Sequence, residues 1–299
     1  MNAACRIARA RNRDARVGAA CQGAIPKRRL RLRQSERGTT RMAYKIVFFD
    51  VDGTLLNTKK QLPASTIAAI RTLRKSGVIG VIASARTPFN IHMWLDALHI
   101  DTYIVYNGGL IVHDGNILHQ ETIDEASAAS LVERVRTNGH SIMPEGARHF
   151  SIVGHEPERI IETYAKLWDH EKRVAYEDLH EPVSQMDLFC NDDEIAPYGT
   201  DFPNLTFYPW MSRPNAFNVI PKGVSKAYGI ELILTKLGIA KADSVAFGDG
   251  PNDLEMLSYV GLGVAMGNAV DELKKKAGYV TSHVDEDGIA NGLRHLGLI

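Results

Sequence analysis

From residue 44 onward, short β-branched runs alternate with amphipathic stretches of helical period, an order that few architectures satisfy. The run IVFF at 46–49 is followed by a stretch near 63–76, where Pro63 suits a first helical turn, Ile67, Ile70 and Leu73 recur on one face, and Gly77 supplies a stop. VIGVIA at 78–83 reads as a second strand, a helix runs through Trp94 and Leu98, and YIVY at 103–106 reads as a third strand. Such a βαβαβ order requires a parallel sheet with helices on both faces. The rhythm returns near the C-terminus, with a helix over 224–237 closed by Gly238, strand SVAF at 244–247, a helix near 252–259 and strand LGVA at 262–265.

Between these halves the texture changes. Aromatic residues and prolines cluster at Tyr208, Pro209, Trp210 and Pro214, and strand-like MDLFC (186–190) and AFNVI (216–220) accompany a helical stretch near 157–170. The expected architecture is a doubly wound, Rossmann-like α/β core from residues 42–123 and 221–299, with an inserted α+β domain over 124–220.

Charge sets one segment apart. Residues 1–41 hold 12 of the 35 Lys+Arg against only Asp14 and Glu36, leaving 23 basic and 33 acidic residues in the rest. This basic stretch reads as a disordered extension ahead of a natural start at Met42, and it alone would suggest a nucleic-acid partner. The three cysteines, Cys5, Cys21 and Cys190, show no CxxC pairing, which fits a reducing cytoplasm. No apolar stretch approaches the roughly 20 residues of a membrane-spanning helix.

The chemistry concentrates at predicted strand ends. IVFF runs into Asp50 and Asp52, two positions apart on one side of an extended chain and about 6.6 Å from each other along it. Charged groups beside a buried strand need a partner. An EF-hand loop does not supply it, because counting from Asp50 the sixth position is Leu55 and the twelfth Gln61, where Gly and Glu are required. A second acidic group, GDGPND at 248–253, follows SVAF and offers Asp249 and Asp253 to a hard cation. Ser84, followed by Ala85 and Arg86, ends VIGVIA at a helix start, where phosphate oxygens can be held. Lys222, just before the 224–237 helix, can neutralise a phosphate. In an open α/β sheet these carboxyl ends share one crevice.

In these four segments, DVDGT (50–54), SAR (84–86), Lys222 in PKGVSK and GDGPND (248–253), the chain over 44–299 resembles the haloacid dehalogenase superfamily of phosphohydrolases, specifically its Cof-like branch with a large cap. Its second motif is more usually Thr-Gly-Arg; Ser84 keeps the hydroxyl, and Ala85 replaces the glycine. The resemblance implies a Mg²⁺-dependent phosphatase of small phosphorylated metabolites. Asp50 would be the nucleophile and Asp52 the acid and base. Asp50, Asp249 and the Asp52 carbonyl would hold the metal, with Asp253 behind them. Ser84, Lys222 and Asn252 would contact the phosphate, Arg86, Asn107 and Gly108 are possible substrate contacts, and the cap would set specificity. A phosphomutase of the same superfamily and a non-catalytic phosphate-binding protein are the competing readings.

Overall fold

All four side chains of β1 (Ile46–Phe49) are fully buried in the computed structural model, which describes residues 44–155, 172–210 and 214–299. β1 is an inner strand of an eight-stranded sheet. The others are β2 (Ile79–Ala83), β3 (Thr102–Val105), β4 (Leu110–His113), β5 (Asn116–Gln120), β10 (Ser244–Gly248), β11 (Leu262–Ala265) and β12 (Tyr279–Val280), in the order β12-β11-β10-β1-β2-β3-β4-β5. The six strands from β12 to β3 are parallel, and β4 and β5 are antiparallel additions at one edge.

The period-two alternation of β1 serves two cores. Val47 and Phe49 pack with Ile70 and Leu73 of α1 (Ala64–Lys75), Trp94 and Leu98 of α2 (His92–Leu98) and Leu293 of α8 (Gly288–His295). Ile46 and Phe48 face the other way, toward Ile230 and Ile233 of α5 (Lys226–Leu237), Met256 of α6 (Leu254–Tyr259) and Leu273 of α7 (Asp271–Lys276). Each fully buried Ile or Phe contributes roughly 1.5–3 kcal/mol, so the sheet is held firmly from both sides.

Several element ends differ from the sequence reading. Tyr106 leaves the third strand, because Tyr106 and Asn107 take left-handed φ values of +53° and +52° in the turn that leads into β4. α5 starts at Lys226, not 224, because the Ser225 side chain accepts a hydrogen bond from the Tyr228 N–H and caps it.

Between β5 and α5 lies the insertion, with α3 (Glu125–Thr137), α4 (Ile195–Asp201), β6 (Ser141–Glu145), β7 (Gln185–Phe189), β8 (Leu205–Pro209) and β9 (Phe217–Pro221). Its four strands form an antiparallel sheet in the order β6-β7-β9-β8. Ile142, Met186, Leu188, Phe217 and Val219 pack with Leu131, Val135 and Tyr198 of the two helices. The helix expected near 157–170 and the basic segment 1–41 lie outside the described residues. Among the described residues, no helix is long and apolar enough to cross a membrane.

Candidate active site

The register that pairs Phe49 with Phe247 brings Asp50 and Asp249 to one rim of the sheet, and the Asp50 N–H donates to the Phe247 carbonyl at 3.0 Å. After Asp50 the chain turns at once: the N–H groups of Leu55 and Leu56 reach the Val51 carbonyl at 3.0 and 2.9 Å. Gly53 permits this turn. Its φ is +81°, and a Cβ there would lie 2.2 Å from Asp249 Oδ2, so only glycine fits. Thr54 Oγ1 donates to Asp249 Oδ1 at 3.1 Å.

Lys226, fully buried at the start of α5, donates from Nζ to Asp50 Oδ1 at 2.5 Å and Asp253 Oδ1 at 2.7 Å. The other Asp253 oxygen accepts from the N–H groups of Asp249 and Gly250 at 2.9 and 3.0 Å. Asp253 is thus occupied in fixing the 249–250 loop. Carboxylate oxygens of Asp50, Asp249 and Asp253 all lie within 4.8 Å of one another. Three carboxylates facing one ammonium leave a net negative charge in a buried place. Burial, then Asp253, pushes the Asp50 carboxyl well up despite Lys226. Asp249 is pushed up to about 7, by burial and then by Asp253. Burial pulls Lys226 down, but Asp253 and Asp50 outweigh it and hold its ammonium above the ordinary lysine value. An all-oxygen, hard donor set with surplus negative charge fits a divalent metal.

Asp52 lies apart from this group. Arg86 grips its carboxylate through Nε (2.6 Å) and a terminal nitrogen (2.9 Å), and Lys60 Nζ adds a third bond at 2.9 Å. Burial pushes the Asp52 carboxyl up, but Arg86 and then Lys60 outweigh it and hold the group well below the usual carboxylate range. The Arg86 guanidinium, expected as a substrate contact, is engaged by Asp52 and lies 4.9 Å from the centre of the Trp94 ring.

Ser84 is buried; its Oγ accepts from the Arg86 N–H at 3.1 Å, and its carbonyl accepts from the Asn107 N–H at 3.1 Å. Asn107 is buried with no partner for Nδ2 among the described residues. Gly108 is required by packing, because at φ +110° a Cβ there would lie 2.0 Å from the Ser225 carbonyl, directly before Lys226. Asn252 is exposed at the rim.

The structure corrects the lysine. Lys222 is exposed and donates to the Pro203 carbonyl at 3.2 Å, away from the carboxylates. Lys226 takes the place expected for it, because PKGVSK contains two lysines and the second opens the helix. One sequence signal favoured Lys226. A cation in a first helical turn opposes the helix dipole and therefore needs anions nearby. Asn268 escaped the sequence reading as well. Its Nδ2 donates to the Gly53 carbonyl at 2.8 Å and to Asp249 Oδ2 at 3.3 Å. Its place three residues beyond β11, at the same rim as the motifs, was the available clue.

A family model described as haloacid dehalogenase-like hydrolase matches residues 47–293. A Bacillus subtilis protein named "Putative phosphatase YkrA" is 36% identical over 263 residues, 86% of this chain and 100% of that protein. The Bacillus subtilis 5-amino-6-(5-phospho-D-ribitylamino)uracil phosphatase YcsE is 30% identical over 254 residues, 84% of this chain and 95% of its own. Among solved structures, a hypothetical protein from Geobacillus kaustophilus superposes with a TM-score of 0.79 at 41% identity, over 86% of this chain and all of that one. The subclass IIB sugar phosphatase BT4131 does so with a TM-score of 0.76 at 29% identity, over 85% and 100%.

Proposed function

Because this chain belongs to the haloacid dehalogenase-like hydrolases and is a phosphatase of phosphoric monoesters, we propose that it hydrolyses small phosphorylated metabolites with Mg²⁺ through a phosphoryl group carried on Asp50. The observation that carries this reading is the contact of Asp50 with Lys226 beside Asp249. It presents one carboxylate to the crevice with a fixed cation at its flank.

In this mechanism a free oxygen of Asp50 attacks phosphorus, and the bond from phosphorus to the leaving oxygen breaks. Asp52 gives a proton to that oxygen and later takes one from the water that releases phosphate. Arg86 and Lys60 hold Asp52 ionised, so they must let go before it can carry a proton. Lys226, the Ser84 hydroxyl and the Asn107 amide hold the spreading charge of the phosphoryl group, and Asn252 borders its entrance. Asp50, Asp249 and the Asp52 carbonyl would hold Mg²⁺, whose charge would offset the repulsion between carboxylate and phosphate. The segment 124–220 acts as a cap that excludes water and selects the ester.

Asp50→Asn is expected to lower hydrolysis of a generic aryl phosphate by about 10³-fold or more. Chelation of divalent ions should stop the wild-type reaction and restored Mg²⁺ should recover it. Turnover unaffected by either change would overturn the reading.

A further inference from the structure

Of the three carboxylates in the acidic group, Asp249 is held differently from the other two. Lys226 donates to Asp50 and to Asp253. Among the described residues, the Asp249 carboxylate is bonded by two neutral donors: Thr54 Oγ1 reaches Oδ1 at 3.1 Å and Asn268 Nδ2 reaches Oδ2 at 3.3 Å. Neutral donors fix the direction of a carboxylate without cancelling its charge, which leaves that charge for a dication.

The amide of Asn268 is fully committed. Its Nδ2 carries two protons, and the acceptors are Asp249 Oδ2 and the Gly53 carbonyl, the latter at 2.8 Å; its Oδ1 accepts from the Val284 N–H at 3.0 Å. Two acceptors on one side and one donor on the other determine which way the amide points. Among side chains of this length only asparagine offers that set, since aspartate would turn a carboxylate on two acceptors. Both acceptors belong to the proposed metal site. Asp249 is one ligand, and the Gly53 carbonyl is one peptide unit beyond the Asp52 carbonyl, across the glycine whose φ is +81°.

The turn that carries Asn268 is itself braced on two sides. The Met266 N–H donates to the Gly248 carbonyl at 3.0 Å and the Val270 N–H to the Asp249 carbonyl at 3.0 Å, while the Gly267 N–H donates to the Ser282 carbonyl at 2.9 Å. Val284, which anchors the amide oxygen, is buried in the core that contains Phe49 and Leu293. Asn268 therefore acts from a packed support, as a residue that must hold others in place requires.

Resting on the metal reading above, we propose that Asn268 is a positioning residue for the metal, whose amide directs the Asp249 carboxylate and steadies the turn that carries the Asp52 carbonyl so that both face one ion. It acts through these neighbours and not on the ester. Loss of an outer partner of this kind weakens metal binding by about 10–100-fold. Once the ion is bound, the phosphoryl chemistry retains its own residues, Asp50, Asp52, Ser84 and Lys226.

The test titrates the full chain with Mn²⁺ in the absence of any ester, reads the free ion by electron paramagnetic resonance, and repeats the titration with Asn268→Ala. The dissociation constant is expected to rise about 10–100-fold in the variant. At saturating Mg²⁺, kcat on an aryl phosphate should stay within about threefold of wild type. Melting curves with and without Mg²⁺ separate positioning from support of the fold. A bound ion raises the melting temperature according to its affinity, so the interval between metal-free and metal-loaded curves should shrink in the variant. A merely structural role would lower both curves together and leave the interval unchanged. If Asn268→Ala does not fold, Asn268→Ser, which stays polar but lacks the two-proton amide, carries the comparison. An unchanged Mn²⁺ dissociation constant or an unchanged melting interval in the folded variant overturns the proposal and leaves the phosphatase reading standing. A wild-type protein that binds no Mn²⁺ would overturn the metal part of that reading and this proposal with it.

Discussion

A lysine in the first turn of a helix runs against the helix dipole, and Lys226 is kept there by Asp50 and Asp253. Removing its charge leaves two carboxylates buried without their cation. Lys226→Met is therefore expected to cost about 3–5 kcal/mol of stability and about 10²-fold or more in kcat/KM on an aryl phosphate. Lys222→Met should change neither beyond about threefold or 0.5 kcal/mol, and melting curves with steady-state rates check both variants. Glu145 offers a second test at this scale. Its carboxyl is pushed up by burial and then by Asp187, so the folded state holds the proton more tightly than the unfolded chain. The associated stability is fully present below the unfolded glutamate value of about 4.3 and is lost as pH rises through the folded value. Glu145→Gln should thus melt higher than wild type at pH 8, with the gap closing toward pH 4. A gap independent of pH would show that the carboxyl is not strained by burial.

Among the elements, strand ends were the most legible part of the site. Asp50, Ser84 and Asp249 each follow an apolar run that only a buried strand explains, and the sheet order places those runs beside one another. The lysine was not legible at that level, since its choice depends on the Ser225 cap and on Gly108 meeting the Ser225 carbonyl, a contact between segments more than 100 residues apart. The insertion was recognised as α+β, but β6 and β8 were missed. Both are edge strands of their sheet and carry Pro144 and Pro209, and proline weakens a strand pattern while being tolerated at an edge. The turn after β1 yields its own prediction. Gly53→Ala puts a methyl group 2.2 Å from Asp249 Oδ2 at a φ of +81°. It should destabilise the protein by about 1 kcal/mol or more and raise the Mg²⁺ concentration needed for half-maximal rate, read from a metal titration of activity.

At the scale of the whole molecule, four segments from distant parts of the chain meet on one rim of a two-sided sheet, and a second sheet closes over that rim with its polar face. The division of labour follows from rigidity. The parallel core, buried on both faces, fixes Asp50, Asp249 and Lys226 against one another, whereas the insertion joins the core through two connections and, in the proposed reading, would act as the cap over the site. The central claim is that Asp50 carries the phosphoryl group. Peptide mass spectrometry of enzyme acid-quenched during turnover tests this most directly. A phosphorylated peptide with the modification on Asp50 is the predicted result, and a phosphoryl group on any other side chain would contradict the account.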